Sequence, residues 1–273
     1  MKELLIRAIS GAIYVALFLL LLPYETALII LFFVFGLICL AEFKKLIKLK
    51  SFFPYIIFAL IYGAFGLIHH LISPIPGFNE AIQILHVITI FVQLLLIKDL
   101  FSEKTIPLFE SKRFILTTFY LTSGFLFMIL IAEYYVMFNP NILLGSFILV
   151  WVNDSFAYLI GKNFGKQKLF PSVSPKKTVE GFLGGLFFAC IASAAIAKFS
   201  YTFKFSNWLI LAIVISVFGT LGDLIESKFK RQANVKDSGV IMPGHGGLLD
   251  RLDSIIFAAP FIFLVIKMLN HVS

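Results

Sequence analysis

The sequence predicts an all-α fold, a polytopic bundle of about nine membrane-spanning helices with a cytoplasmic N-terminus. Three observations predict it. Of the 273 residues, 60% are hydrophobic and only 14% are charged, well below the charge content of a soluble domain. Mean hydropathy is +0.97, and the apolar residues fall in long runs almost free of charge, where a bilayer-spanning helix needs about 20 such residues. The Lys and Arg side chains are gathered into alternate connections between those runs. A soluble enzyme would have to hide every run from water, so that class is excluded. Phe supplies 33 residues, a composition suited to lipid-facing helix surfaces.

Taken in order, the apolar runs cover about 8–22, 26–41, 52–72, 81–97, 114–138, 142–161, 180–197, 207–222 and 252–270. The first follows Lys2 and Arg7 and has the outline of a signal peptide. It is expected to be retained, because Pro23, Tyr24 and Glu25 turn directly into the second run and no small-residue cleavage site follows. Several runs are shorter than a full span, so tilt or burial within the bundle is expected.

With the N-terminus inside, the start of the chain and segments 42–51, 98–113, 162–179 and 223–251 lie on the cytoplasmic side. Every Lys and Arg except Lys198, Lys204 and Lys267 falls in these segments, the positive-inside pattern. An odd number of spans places the C-terminus outside. The formal charge of +8 therefore serves topology and attraction to anionic lipid or phosphate, and nucleic acid is not expected as a partner. Cys39 and Cys190 lie inside apolar runs and behave as small hydrophobes. His69 and His70 fall near the outer end of the third run and are expected at the interface, and Glu133 carries no assigned role. With no linker or repeat, the chain is expected to be one membrane domain, 1–110 supplying N-terminal helices and 111–273 a catalytic half.

Unusual polar spacing is concentrated between Asn153 and Ser254. Asp223 stands where the eighth run ends, and Asp250 and Asp253 stand where the ninth begins. Three apart, Asp250 and Asp253 share a helix face, in the favourable field of a helix N-terminus. Between these acids come Lys228, Lys230, Arg231 and Lys236, then the Gly-rich string Pro243-Gly244-His245-Gly246-Gly247. Carboxylates bind a hard cation such as Mg²⁺, the cation binds phosphate oxygens, basic side chains take the remaining charge, and glycines let backbone N–H groups come close. That is the equipment of phosphoryl or nucleotidyl transfer.

A second cluster lies upstream. Asp154 is an ionisable group inside the sixth run, which marks a functional site by default. Ser174-Pro175-Lys176-Lys177-Thr178-Val179-Glu180-Gly181 leads into the seventh run, and paired lysines with hydroxyls at a helix start suit a phosphate-rich ligand. Gly161-Lys162 and Gly165-Lys166 have the wrong spacing and context for a P-loop. Gly181 and Gly185, four apart, are expected to serve close helix packing.

The string Ser227-Lys228-Phe229-Lys230-Arg231, Lys236-Asp237, Pro243 to Gly247 and Asp250-Arg251-Leu252-Asp253 resembles the signature of the phosphatidate cytidylyltransferases, or CDP-diacylglycerol synthases. The Asp154 and Ser174–Gly181 segments resemble the same family's upstream motifs, so the likeness covers about residues 150–255. The resemblance implies transfer of CMP from CTP to phosphatidate, giving CDP-diacylglycerol and pyrophosphate, with Mg²⁺ required. It makes Asp223 and Asp250 the leading metal ligands, with Asp253 a third. Lys176, Lys177, Lys228, Lys230 and Arg251 become partners of substrate phosphate, and Asp154, Ser174 and His245 site residues without a fixed role. CTP, phosphatidate and the lipid bilayer are the expected partners, with a second copy of the chain as the protein partner carried alongside them. The expected location is the cell inner (cytoplasmic) membrane, with the site on its cytoplasmic side. Two rivals remain: a CTP-dependent lipid kinase, whose product would lack cytidine, and a transporter of an anionic solute. The transporter would place its ionisable residues near the midplane of several spans.

Overall fold

A computed structural model of the chain describes residues 2–68, 77–102, 104–133, 138–244 and 246–272. His69, His70 and His245 lie outside the described residues. Helix α1 (Lys2–Leu21) is followed by α2 (Glu25–Leu46) and α3 (Phe53–Tyr62, continued by a π-helical turn Gly63–Ile68). Helices α4 (Phe78–Phe101), α5 (Glu110–Ala132, π-helical over Leu116–Thr122) and α6 (Asn141–Phe164) come next. A hairpin of β1 (Lys168–Phe170) and β2 (Ser174–Thr178) precedes α7 (Val179–Ser200), α8 (Phe205–Gln232) and α9 (Leu249–Val272). Among the described residues, seven helices (α2 and α4 to α9) are long and apolar enough to cross a membrane. The expected runs at 8–22 and 52–72 correspond to α1 and α3 with its π-helical turn, whose described apolar portions are Ser10–Leu21 and Phe53–Gly66.

Two departures from the sequence expectation shape the site. The first is the antiparallel β1–β2 hairpin, with Lys168 opposite Thr178 and Phe170 opposite Ser174, within the cytoplasmic segment expected at 162–179, where the sequence predicts no strand. Pro171 pre-sets its turn, which Val173 N–H closes on the Phe170 carbonyl at 3.2 Å. The second is the length of α8, which runs on through Gln232 past the expected end of the eighth span near 222. No Gly or Pro interrupts the stretch after Gly222, and Leu224, Ile225 and Phe229 are buried along it. Packing extends this helix where hydropathy alone ends it.

The helix seams near the site are made by small residues. A Cβ on Gly181 would come within 2.7 Å of the Ala157 carbonyl, and one on Gly185 within 2.6 Å of the Asn153 carbonyl. The α6–α7 packing expected of these two glycines is therefore present. On α8, a Cβ at Gly222 would meet the Asp253 carbonyl of α9 at 2.9 Å. Much of the Phe content lies in the core and not on a lipid face, for Phe18, Phe32, Phe58, Phe125 and Phe147 are all buried. A second aromatic group, Phe43, Tyr120, Phe229 and Phe257, is fully enclosed beside the residues of the site.

The connections expected on one side of the membrane meet at one end of the bundle. Arg113 Nη1 donates to the Lys48 carbonyl at 3.0 Å, tying the end of α2 to the start of α5. Gln232 at the end of α8 exchanges hydrogen bonds with the backbone of Ile106, and Ser10 Oγ donates to the Pro243 carbonyl at 3.1 Å.

Candidate active site

The second half of α8 supplies the first wall. Asp223, Glu226, Ser227 and Lys230 follow the i, i+3, i+4, i+7 spacing of a single helix face. Ser227 Oγ donates to Asp223 Oδ1 at 3.2 Å. Lys230 Nζ is paired within its own helix to Glu226 and across to Asp250 Oδ1 on α9 at 2.7 Å. Glu226 is 0% exposed, and an unpaired carboxylate there would be strongly destabilising. Lys230 is thus an internal counter-ion as well as a cavity residue.

The α8–α9 loop is organised by Asp250. Its Oδ2 accepts hydrogen bonds from Gly247 N at 2.8 Å, Ser238 N at 2.8 Å and Ser238 Oγ at 2.9 Å. Gly246 has φ +87, and a Cβ there would approach that same oxygen to 2.8 Å, so only glycine suits both the backbone and the space. The glycine N–H expected to cradle phosphate is, at Gly247, already donated to Asp250. The loop is also held by Glu42, on α2 and 2% exposed. Its carboxylate accepts from Leu248 N at 3.2 Å and Leu249 N at 2.8 Å, capping α9 from the opposite end of the sequence.

The third wall is α6, the hairpin and the start of α7. Thr178 caps α7, its Oγ1 accepting from Gly181 N at 3.1 Å. Glu180 accepts from the backbone of Lys166 and Gln167, closing the turn after α6. The hairpin thereby delivers Lys177 Nζ to Asp223 Oδ2 at 2.5 Å. Burial disfavours the Lys177 ammonium, but Asp223, Asp154 and Asp253 outweigh it and hold its pKa above the ordinary lysine value. Of these carboxylates, Asp223 is the one in direct contact with Lys177. Asp154 accepts from Asn153 Nδ2 at 3.3 Å.

These walls enclose a cavity of about 710 Å³. Of the residues singled out from sequence, Asp154, Lys176, Lys177, Asp223, Lys230, Asp250, Arg251 and Asp253 all line it. Lys228 does not. Its ammonium donates to the carbonyls of Asp99 at 2.6 Å, Leu100 at 3.2 Å and Ser102 at 2.7 Å, capping the C-terminus of α4. Two positions from Lys230 on a helix, it faces away from the cavity, and the contacts it makes here are structural. Ser174 opens β2 opposite Phe170 and is not among the lining residues. Sequence reasoning missed Glu42 and left Glu226 without a role. Glu42 was hidden among lysines at the end of an ordinary apolar run, and its one signal is an acid in a segment otherwise basic.

Among the described residues no three His, Cys, Asp or Glu side chains stand ready to hold a metal ion by themselves. The donors fit a hard cation that brings its own company. Mg²⁺ takes one or two carboxylates and completes its octahedron with water and phosphate, and Asp223, Asp250 and Asp253 offer only hard oxygens beside lysines suited to phosphate. Asp250 Oδ2 is saturated by three donors, whereas Oδ1 accepts from Lys230 Nζ, and both residues line the cavity.

Fold and site define a polytopic helical membrane protein with a carboxylate- and lysine-lined cavity at one end of its bundle. The chain belongs to the Cytidylyltransferase family, whose sequence model matches residues 5–269. It is 49% identical over 126 residues to a phosphatidate cytidylyltransferase of Staphylococcus aureus, covering 45% of this chain and 48% of the relative. It is 44% identical over 124 residues to a phosphatidate cytidylyltransferase of Bacillus subtilis, covering 45% of this chain and 46% of the relative. In these alignments the chain spans about half the length of the curated relatives it matches.

Proposed function

We propose that the chain transfers CMP from CTP to phosphatidate, giving CDP-diacylglycerol and pyrophosphate. The observation that carries this is one cavity lined by five aspartates and six lysines or arginines at the polar end of a membrane bundle, in a chain of the Cytidylyltransferase family. An oxygen of the phosphatidate phosphate attacks the α-phosphorus of CTP, the bond from that phosphorus to the β-phosphate oxygen breaks, and pyrophosphate leaves. The nucleophile is already an anion, so no strong general base is needed. The requirements are in-line placement and charge neutralisation.

Asp223, Asp250 Oδ1 and Asp253 would hold Mg²⁺, which would neutralise phosphate charge when bound. Lys176, Lys177 and Arg251 line the same cavity and take the phosphate charge that remains. The Lys177–Asp223 pair supports a role for Lys177 beside the carboxylates that would hold the cation. Asp154 contributes further negative charge beside them. The catalytic work falls to residues 111–273, and the site faces the cytoplasm from the inner membrane, where CTP is found and where acyl chains can remain in the bilayer.

The test is incubation of purified protein with phosphatidate, labelled CTP and Mg²⁺, followed by lipid analysis. Labelled CDP-diacylglycerol is the expected product. A lipid phosphate without cytidine would assign a kinase, and no labelled lipid would refute the proposal.

A further inference from the structure

We infer that Glu42 is a positioning residue for Asp250, fixing from α2 the loop and first helical turn on which the cavity carboxylates of α9 are mounted. The inference rests on the cytidylyl-transfer reading. It begins from a cost, because a carboxylate that is 2% exposed in an apolar bundle is tolerated only when its oxygens are satisfied. Both are. Oε1 accepts from Leu248 N and Oε2 from Leu249 N, at 3.2 and 2.8 Å. The preceding amide, Gly247 N, goes to Asp250 Oδ2 at 2.8 Å. Three successive N–H groups at the start of α9 are therefore divided between two carboxylates, one local and one from a helix more than 200 residues away in sequence.

Ser238 joins the two acids. Its Oγ lies 2.9 Å from Asp250 Oδ2 and 3.4 Å from Glu42 Oε2, and its N–H also goes to Asp250. Space is reserved for this arrangement. A Cβ on Gly239 would collide with Glu42 Oε1, and a Cβ on Gly247 would collide with Ser238 Oγ and crowd Glu42 Oε2. Displacing the Glu42 carboxylate thus moves Ser238 and the 247–249 backbone, the groups that hold Asp250 Oδ2. Its other oxygen, Oδ1, is bonded to Lys230 at the cavity. Glu42 touches no cavity space itself and acts through Asp250.

Glu42→Gln keeps the shape but turns an amide N–H₂ toward a backbone N–H, donor against donor. The expected result is a kcat lowered about 10–100-fold, as a roughly 1 Å misplacement produces. The Mg²⁺ concentration for half-maximal activity should rise about tenfold or more, the usual effect of losing a group that orients a metal ligand. Loss of folded protein scales the rate but leaves half-activating Mg²⁺ unmoved, so this reading separates positioning from mere stability. Glu42→Asp keeps the charge and should restore the Mg²⁺ dependence to within about threefold of wild type. Hydrogen exchange supplies a readout without turnover: peptides over 246–252 should exchange faster in Glu42→Gln, with peptides of α6 and α7 unchanged. Wild-type Mg²⁺ dependence in Glu42→Gln, whether or not its amplitude falls, would overturn the inference, as would unaltered exchange over 246–252. If the wild-type protein makes no CDP-diacylglycerol, the functional reading fails instead, and the exchange arm still decides whether Glu42 orders this segment.

Discussion

Lys177 and Lys228 look alike in sequence, each a lysine near hydroxyls in a basic segment, yet their surroundings give them different work. Lys177 meets Asp223 at 2.5 Å on the cavity wall, whereas Lys228 is enclosed by three backbone carbonyls of α4 and the residues after it. Lys177→Gln should therefore depress turnover far more than Lys176→Gln, since only Lys177 is paired with a cavity carboxylate; equal effects in steady-state assays would contradict this. Lys228→Met should lower stability by about 2 kcal/mol, the worth of charged hydrogen bonds lost from a buried site. Thermal unfolding in detergent would show that loss, with KM for CTP unchanged. The pH dependence follows from the direction of the Lys177 shift. A raised folded-state pKa means that the ion pair stabilises fully below the unfolded value and is lost only as pH rises through the folded one. Activity profiles should thus show no Lys177-dependent break before about pH 10.4, the ordinary lysine value. Asp223→Asn should cost about 100-fold or more in turnover and flatten the response to Mg²⁺. Near-normal metal dependence in a folded variant would remove Asp223 from the site.

At the scale of elements, the cavity depends on seams where helices touch backbone to backbone. The α6–α7 seam carries Asp154 on one side and leads through Thr178 to Lys177 on the other. Gly185→Leu should force these helices apart, costing about 1–3 kcal/mol as over-packing does and lowering activity without touching a charged group. Unfolding and turnover measured on the same preparation would check both. The small-residue spacing made this seam readable from sequence. The hairpin was not readable, because Pro175 and two lysines argue against a strand and only pairing with β1 overrides them. The length of α8 was hidden for a related reason. Hydropathy marks where a helix leaves lipid, not where it stops, and Asp223 to Lys230 remain helical because their apolar neighbours are buried.

For the whole molecule, the charge pattern and the tertiary contacts agree on which connections keep company. Segments 42–51, 98–113, 162–179 and 223–251 are joined by Arg113 to Lys48, Lys228 to Asp99, Lys177 to Asp223 and Glu42 to Leu249. Reporter fusions after Lys50, Arg113, Lys168 and Lys236 should therefore all report one compartment, the cytoplasm by the positive-inside rule. A fusion at Ser273 should report the opposite side. Cytoplasmic signal at the C-terminus would overturn the nine-span count, for which α1 and α3, outside the seven long apolar helices, are the sensitive elements.

The sequence by itself determined the helical membrane class, the family likeness and most of the charged residues that line the cavity, because hydropathy and ordered motifs are local along the chain. Only the tertiary structure decided which of those residues face one another. It turned Lys228 away to cap α4, buried Glu226 against Lys230, and brought Glu42 across the bundle to the start of α9. The reason is physical: a buried charge takes its role from the partner that satisfies it, and that partner is set by packing between helices distant in sequence.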